Sequence, residues 1–422
     1  MTLTLAELRD GVAGDVVGIR CRNVLQPLGG VADKVFPPTY SVADGAETKY
    51  ATEKRRMPGD GAGADVVDSV VLDSVASQAN RFELALLDSI RRDDLPVPVT
   101  SVDFRPVQEL AGLDRISDYE ASHRIFDALL RDSYDGEHLF REGLAGRAVT
   151  LARPRDAAGL YHHSPHTLVF GGWDSTGPRG GLGAKYERAI TSEIVALDAV
   201  AGRKTSSRID QTGIERNGGV LYEGKGGVWT LDEREAVTEK GKPKLLGAGK
   251  GGEAGRPSQA NLGNIAPSID SRAGGVTAKE IVGTTVLSLI QLRRLRFPTA
   301  VDGTALEPRR RDAVELAART ALAALGLAAT ALAFEEGFDL RSRCVLVTVG
   351  ASTFEAVARD GSVTRFELAG ADAVKLMVEA VDYAREQGMP WRSGELLLRP
   401  SDRLLTLIKR SNDLVSESGS EK

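Results

Sequence analysis

The chain has 422 residues, 42% hydrophobic and 27% charged, an ordinary globular composition with room for two or three domains by length alone. Lys and Arg total 54 against 59 Asp and Glu, a net charge of -5, so a polyanion would have to be met by a local basic stripe rather than by the field of the whole molecule. Two cysteines, Cys21 and Cys344, exclude a disulfide framework and a cysteine-based zinc site, and both read as inert core or sheet residues.

The opening MTLTLAELRDG has neither a basic nor an apolar leader region, so no signal peptide is visible and the cytoplasm is the expected compartment. Residues 16–28 are β-rich, and period-2 alternation puts Arg20 and Arg22 on one face. Residues 29–63 read as an irregular insertion with Pro37, Pro38 and Pro58 and the basic run Lys54, Arg55, Arg56. A strand end and a helix follow over 70–92. Ser77, Gln78, Asn80 and Arg81 cluster at the start of that helix, where polar side chains and free N–H groups can hold phosphates. Residues 104–113 read as a loop, and 118–132 as a helix carrying His123, Arg124 and Arg131.

The densest signal is LVFGGWDSTGPRGGLGAKYERAITSEIVA, residues 168–196. A strand over 168–170 is expected to enter a Gly-rich loop. A helix is expected to leave it, with Lys185 and Arg188 in its opening turns and Ile190, Ile194, Val195 and Leu197 as its apolar stripe. Such a loop suits phosphate, since glycines permit close backbone approach and free N–H groups point outward. Tyr186 stands where a P-loop needs its metal-binding hydroxyl and where a dinucleotide fingerprint needs its third glycine. A polymer of phosphates remains, with Trp173 as stacking face, Arg179, Lys185 and Arg188 as charge, and Ser175 in the loop. Asp174 reads as a loop-fixing acceptor. His162, His163 and His166 have Pro165 between them, which is not expected to leave two on one helix face, and no nearby Cys completes a set, so no metal and no other cofactor is expected.

Residues 202–275 lack apolar periodicity and read as a mobile Gly/Lys-rich insertion, with Lys240, Lys242, Lys244, Lys250 and Arg256 as a basic clasp. Residues 276–297 are regular and end in Arg293, Arg294 and Arg296. The Ala-rich run 313–334 imitates a membrane span, but alanine contributes little to insertion and Glu315 and Arg319 interrupt its start, so a packed soluble helix is expected. A strand over 343–349, a helix over 371–386, a short strand over 395–398 and a polar tail over 410–422 complete the chain. Without a steady βαβ rhythm, the reading is an α+β fold.

Several segments together resemble one family. They are KVFPPTY with Lys34, DSVASQANRFE, HRIFDALLRDS, FGGWDSTGPRGGLGAKYERAITSEI, SRIDQTGI with Arg208, and GNIAPSI with Asn264, which leads to TTVLSLIQLRRLRF. This set is similar to the CRISPR-associated backbone subunit of type I-U (also called I-G) surveillance complexes, the Cas-seven-type member of the RAMP superfamily. The resemblance implies a hand-shaped α+β molecule with an RRM-like (ferredoxin-like) core and large insertions. The core would take 1–28, 64–201 and 276–409, interrupted by 29–63 and 202–275 and followed by the tail 410–422. It also implies a non-catalytic chain that oligomerises along the spacer of a CRISPR RNA. Target DNA would be held by guide pairing, with other Cascade subunits at the ends and a helicase-nuclease recruited for cutting. Lys34, Arg208 and Asn264 join the RNA-contact set on this resemblance. The rival reading from the residues is a phosphate-handling enzyme, a nuclease or NTPase, using the Gly-rich loop with Asp174 and Asp210.

Overall fold

The computed structural model describes residues 2–43, 45–57, 65–92, 95–110, 112–177, 183–249 and 253–420, the last six of these without their side chains. The chain divides into two units: Met1–Asp44, Lys49–Ala201 and Gly275–Ser401 form one, and Gly45–Thr48, Gly202–Gly274 and Asp402–Lys422 the other.

The first unit is built on β1 (Val16–Pro27), β2 (Thr52–Met57), β3 (Asp65–Asp73), α1 (Val75–Arg91), β4 (Gly172–Trp173), β5 (Lys185–Tyr186), β6 (Ile190–Ala201), β7 (Val276–Ser288), α2 (Pro308–Glu336), β8 (Phe338–Arg341), β9 (Cys344–Thr348), β10 (Thr353–Ala358), β11 (Val363–Glu367) and α3 (Gly370–Glu386). The fold is α+β, as the sequence suggested. The main sheet runs β8-β9-β1-β7-β6-β3-β2, and β10 also pairs with β1 and carries β11. All its pairings are antiparallel. A second sheet joins Glu395–Pro400 in parallel to Val99–Asp103, with Arg115–Ser117 and the hairpin Ser133–Asp135/His138–Leu139 alongside.

Alternation along β1 buries Ile19, Cys21, Asn23 and Leu25 toward the helices and leaves Arg20, Arg22 and Val24 on the open face. The same period carries across the register: Cys21 stands opposite Thr285, and Arg22 opposite Thr284. Helix α2 lies at the centre of the helical layer. Its Ala-rich run is expected to pack inside protein and does: the apolar window that satisfies the length and composition of a membrane span, with a mean hydropathy of 1.6, is 83% buried. Alanine lets neighbours approach from every side, and α1, α3 and the helix Leu5–Ala13 all pack on it.

Three expectations are corrected. Residues 168–170 are not a strand but the end of the helix Pro165–Phe170, begun by Pro165 at its first turn. Residues after Lys185 are not a helix: Lys185 and Tyr186 form β5, and the Ile190, Ile194, Leu197 stripe belongs to strand β6. Ile190 and Ile194, four apart, satisfy both periods, and the β-branched residues Ile190, Thr191, Ile194 and Val195 all pair with β7, the last two also with β3. Residues 118–132 are not one helix. They hold the short 3-10 turn Arg124–Phe126 and the helix Ala128–Arg131, capped by Asp127. Of the polar tail 410–422, the residues up to Ser420 belong to the helix Asp402–Ser420.

Within 29–63, Lys54, Arg55 and Arg56 lie on edge strand β2, paired with β3. The second unit holds an antiparallel ribbon, Lys204–Arg208 with Ile265–Asp270, and the strand pairs Tyr222–Glu223/Trp229–Thr230 and Thr238–Glu239/Lys242–Pro243.

Candidate nucleic-acid interface

The Gly-rich segment is a hairpin. Gly171, at φ +85°, turns the chain out of the helix Pro165–Phe170, and β4 then pairs with β5 so that Trp173 stands directly opposite Lys185. Cross-strand partners share a face, so an indole and an ammonium are presented together. Trp173 is 56% exposed, and Ser175, Lys185 and Arg188 are exposed as well. Arg179 lies outside the described residues. The glycines serve the hairpin first: a Cβ at Gly183 would lie 1.8 Å from the Asp174 carbonyl, and one at Gly171 2.8 Å from Arg188 Cγ.

Asp174 is buried and accepts from the Arg141 guanidinium, while its backbone N–H donates to the Ala184 carbonyl at 3.0 Å. It fixes the loop, as expected, though through an arginine rather than nearby N–H groups. Arg141 Nη1 also donates to the Thr176 carbonyl at 2.6 Å, and Arg131 Nη1 to Thr176 Oγ1 at 3.2 Å. These arginines, more than thirty residues away in sequence, were not foreseen beside the loop.

The remaining candidates fall elsewhere. Arg20 and Arg22 sit on the open sheet face, where Arg20 pairs with Glu355 and Arg22 Nη2 with Glu280 at 3.0 Å. Arg55 on the same face reaches Glu193 at 2.9 Å. Each of these three cations is thus already matched by a carboxylate. Gln78 and Arg81 lie on the other side of the sheet, each bonded to partners within the fold. Gln78 is fully buried; its Nε2 donates to Asp73 at 2.7 Å and its Oε1 accepts from Ser192 at 3.0 Å. Arg81 donates to Asp73 at 3.0 Å and to the Asp339 carbonyl at 2.9 Å, tying α1 to β8. Asn80 is exposed and Ser77 half-buried, with the Ser77 N–H donating to the Ser74 cap. Lys34 lies over the Phe36 ring at 5.4 Å. In the second unit Arg208 donates to the carbonyls of Gly263 and Leu262, at 3.0 and 2.8 Å, and Asn264 Oδ1 accepts from the Asp210 N–H at 2.7 Å. Asp210 is held below the usual carboxylate range by the Thr212 hydroxyl and N–H. Of the proposed clasp, Lys244 pairs with Glu223 and Arg256 with Glu253, and Lys250 lies outside the described residues.

Beneath the hairpin lies a buried polar cluster. Glu83, Asp118, Ser164 and His166 are essentially inaccessible. Asp118 accepts from the Thr100 N–H at 3.0 Å and from Ser164 Oγ at 3.1 Å, and His166 stacks on Tyr119 with centroids 3.9 Å apart. Burial pushes the Asp118 carboxyl up to about 7 and the His166 imidazole well below its ordinary value. Among the described residues no group of three or more His, Cys, Asp or Glu is placed to hold a metal ion. A carboxyl raised from 3.8 to about 7 binds a proton in the fold that the unfolded chain releases, so its contribution to stability is lost as pH rises from about 4 to about 7. Asp118→Asn removes that contribution. Relative to the wild type, the variant should therefore lose stability as pH falls from 7 toward 4, measured by urea unfolding across that range. A relative gain on acidification would mean that Asp118 is ionised in the fold.

No curated protein matches the chain. Residues 19–201, the span from β1 to the end of β6 that contains α1 and the Trp173 hairpin, match the family described as CRISPR-associated protein GSU0053. Over that span, somewhat less than half of its length, the chain is similar to a CRISPR-associated family.

Proposed function

We propose that the chain is a non-catalytic, RNA-binding backbone subunit of a CRISPR interference complex, of the type I-U (I-G) kind. It would oligomerise along the spacer of the guide RNA in the cytoplasm and support pairing with the target DNA strand. Other Cascade subunits would cap the assembly, and a helicase-nuclease would be recruited to it. The observation that carries the reading is the exposed cross-strand pair Trp173–Lys185 on a hairpin inside the matched span. An aromatic face beside a cation takes a base and its phosphate without choosing sequence, and base pairing then does the reading. The succession β1, α1, β6, β7, α2, β9 with sheet order β9-β1-β7-β6 supports an RRM-like core. A non-catalytic role is supported by the acids of the rival reading: Asp174 and Asp210 are both engaged by donors of their own chain.

The purified full-length chain should carry nucleic acid, with an ultraviolet spectrum dominated by it and an oligomer ladder that ribonuclease collapses. It should hydrolyse neither nucleotides nor RNA with magnesium. A clean monomer with magnesium-dependent turnover, abolished by Asp174→Ala or Asp210→Ala, would reverse the proposal.

A further inference from the structure

The buried pair Glu83–Arg124 lies outside the RNA-contact set, yet it reaches the root of the hairpin. Arg124 Nε and Nη2 donate to the two Glu83 carboxylate oxygens at 2.6 and 2.7 Å, with side chains 10% and 1% exposed. Both oxygens used by both nitrogens fix the plane of the guanidinium. Its third nitrogen, Nη1, donates to the Gly171 carbonyl at 3.2 Å, at the residue that opens the hairpin and two before Trp173. The guanidinium carbon stands 5.8 Å from the centroid of the Phe170 ring. Two residues on, Phe126 stacks on Tyr186 of the returning strand, with rings 9° from parallel and 6.3 Å apart. One short turn, Arg124–Phe126, thus grips both strands. Arg124 itself is held at φ +53°, a conformation few arginines adopt, which marks a position fixed by its surroundings. A buried ion pair adds little net stability compared with apolar packing, whereas a bidentate one fixes geometry well.

We infer that Glu83 and Arg124 are positioning residues that aim the hairpin, setting the angle at which Trp173 meets a base; this rests on the RNA-binding reading above. Neither residue touches RNA, and both act through the Gly171 carbonyl.

The test uses the full chain labelled with 5-fluorotryptophan. Its three tryptophans give fluorine resonances, with that of Trp173 assigned by Trp173→Phe and those of Trp229 and Trp391 serving as controls. Glu83→Gln keeps the shape and removes the charge. Gly171→Ala disturbs the root directly, where φ is +85° and a Cβ would meet Arg188 Cγ, while leaving both side chains of the buried pair in place. Both should shift or broaden the Trp173 resonance alone, and both should weaken binding to a mixed-sequence single-stranded RNA by about tenfold, the size of one lost base stack. An unmoved Trp173 resonance in Glu83→Gln overturns the inference. So does collapse of all three resonances in that variant, which would make the pair a general folding element. If the Trp173 resonance moves but RNA affinity holds, and Trp173→Ala also leaves affinity intact, the clamp stands and the RNA-stacking reading fails.

Discussion

With Arg179, Lys185 and Arg188 replaced together by alanine, the salt dependence of RNA binding should flatten by roughly two units on a log–log plot, since each phosphate contact on a single strand releases about 0.7 of a counterion. Affinity near physiological salt should fall on the order of 10- to 100-fold for the same reason. The expectation comes from the hairpin. Lys185 stands opposite Trp173, so its charge falls beside any base stacked there. The stem of Arg188 lies against Gly171, which keeps it at the hairpin root. On the open sheet face, by contrast, Arg20, Arg22 and Arg55 are already neutralised by Glu355, Glu280 and Glu193, and releasing them would cost those pairs. Alanine at Arg20 and Arg22 should therefore change the slope less than alanine at the hairpin cations. The fold should survive, because β6 begins after the substituted residues and its inward Ile190, Ser192 and Ile194 are untouched. Fluorescence anisotropy titrations from about 50 to 200 mM salt, with circular dichroism as control, measure both effects. A wild-type slope in the folded triple variant would make the hairpin a structural element only.

What could be read from the sequence follows from how local each signal is. β1 was legible because its alternation runs over twelve residues, and α2 because a long Ala-rich run has few alternatives. Phosphate chemistry around Trp173 was legible as composition, but its geometry was not. Leu168, Val169 and Phe170 are buried on all sides, and a fully buried apolar run looks the same as helix or strand. Ile190 and Ile194 fit both periods, so only pairing with β7 and β3 decided for a strand. Gln78 and Arg81 resembled a phosphate cradle because a polar helix start looks alike whether it faces solvent or core. Their partners Asp73, Ser192 and the Asp339 carbonyl arrive from β3, β6 and β8, which no local window contains. Arg141 and Glu83 were missed for the same reason: their partners are brought near by the fold, not by the sequence. The hairpin β10–β11 and the helix Leu5–Ala13, with its Thr4–Glu7 capping box, carried local signals that went unread.

The largest stability effect is expected at Phe334→Ala, with a loss of about 3–5 kcal/mol. Phe334 is 1% exposed near the end of α2. It meets Phe82 of α1 edge-on at 6.2 Å and Phe338 of β8 at 5.1 Å, so one ring joins two helices to the edge strand of the sheet. Beneath it the sheet makes room: a Cβ on Gly283 of β7 would lie 2.7 Å from Phe334 Cε1. The ring thus fills a hole that a missing side chain creates, and its neighbours belong to separate elements that cannot all collapse inward. Against a typical total of about 5–15 kcal/mol, that loss is a large fraction of what holds a domain together. Gly283→Ala should cost about 1–3 kcal/mol by crowding the same ring. Combined with Phe334→Ala, however, its new methyl would enter the vacated space, so the double variant should be more stable than the sum of the two losses allows. Urea unfolding of the three variants at constant m-value reads each term. Strict additivity would show that Gly283 and Phe334 do not share one packing site.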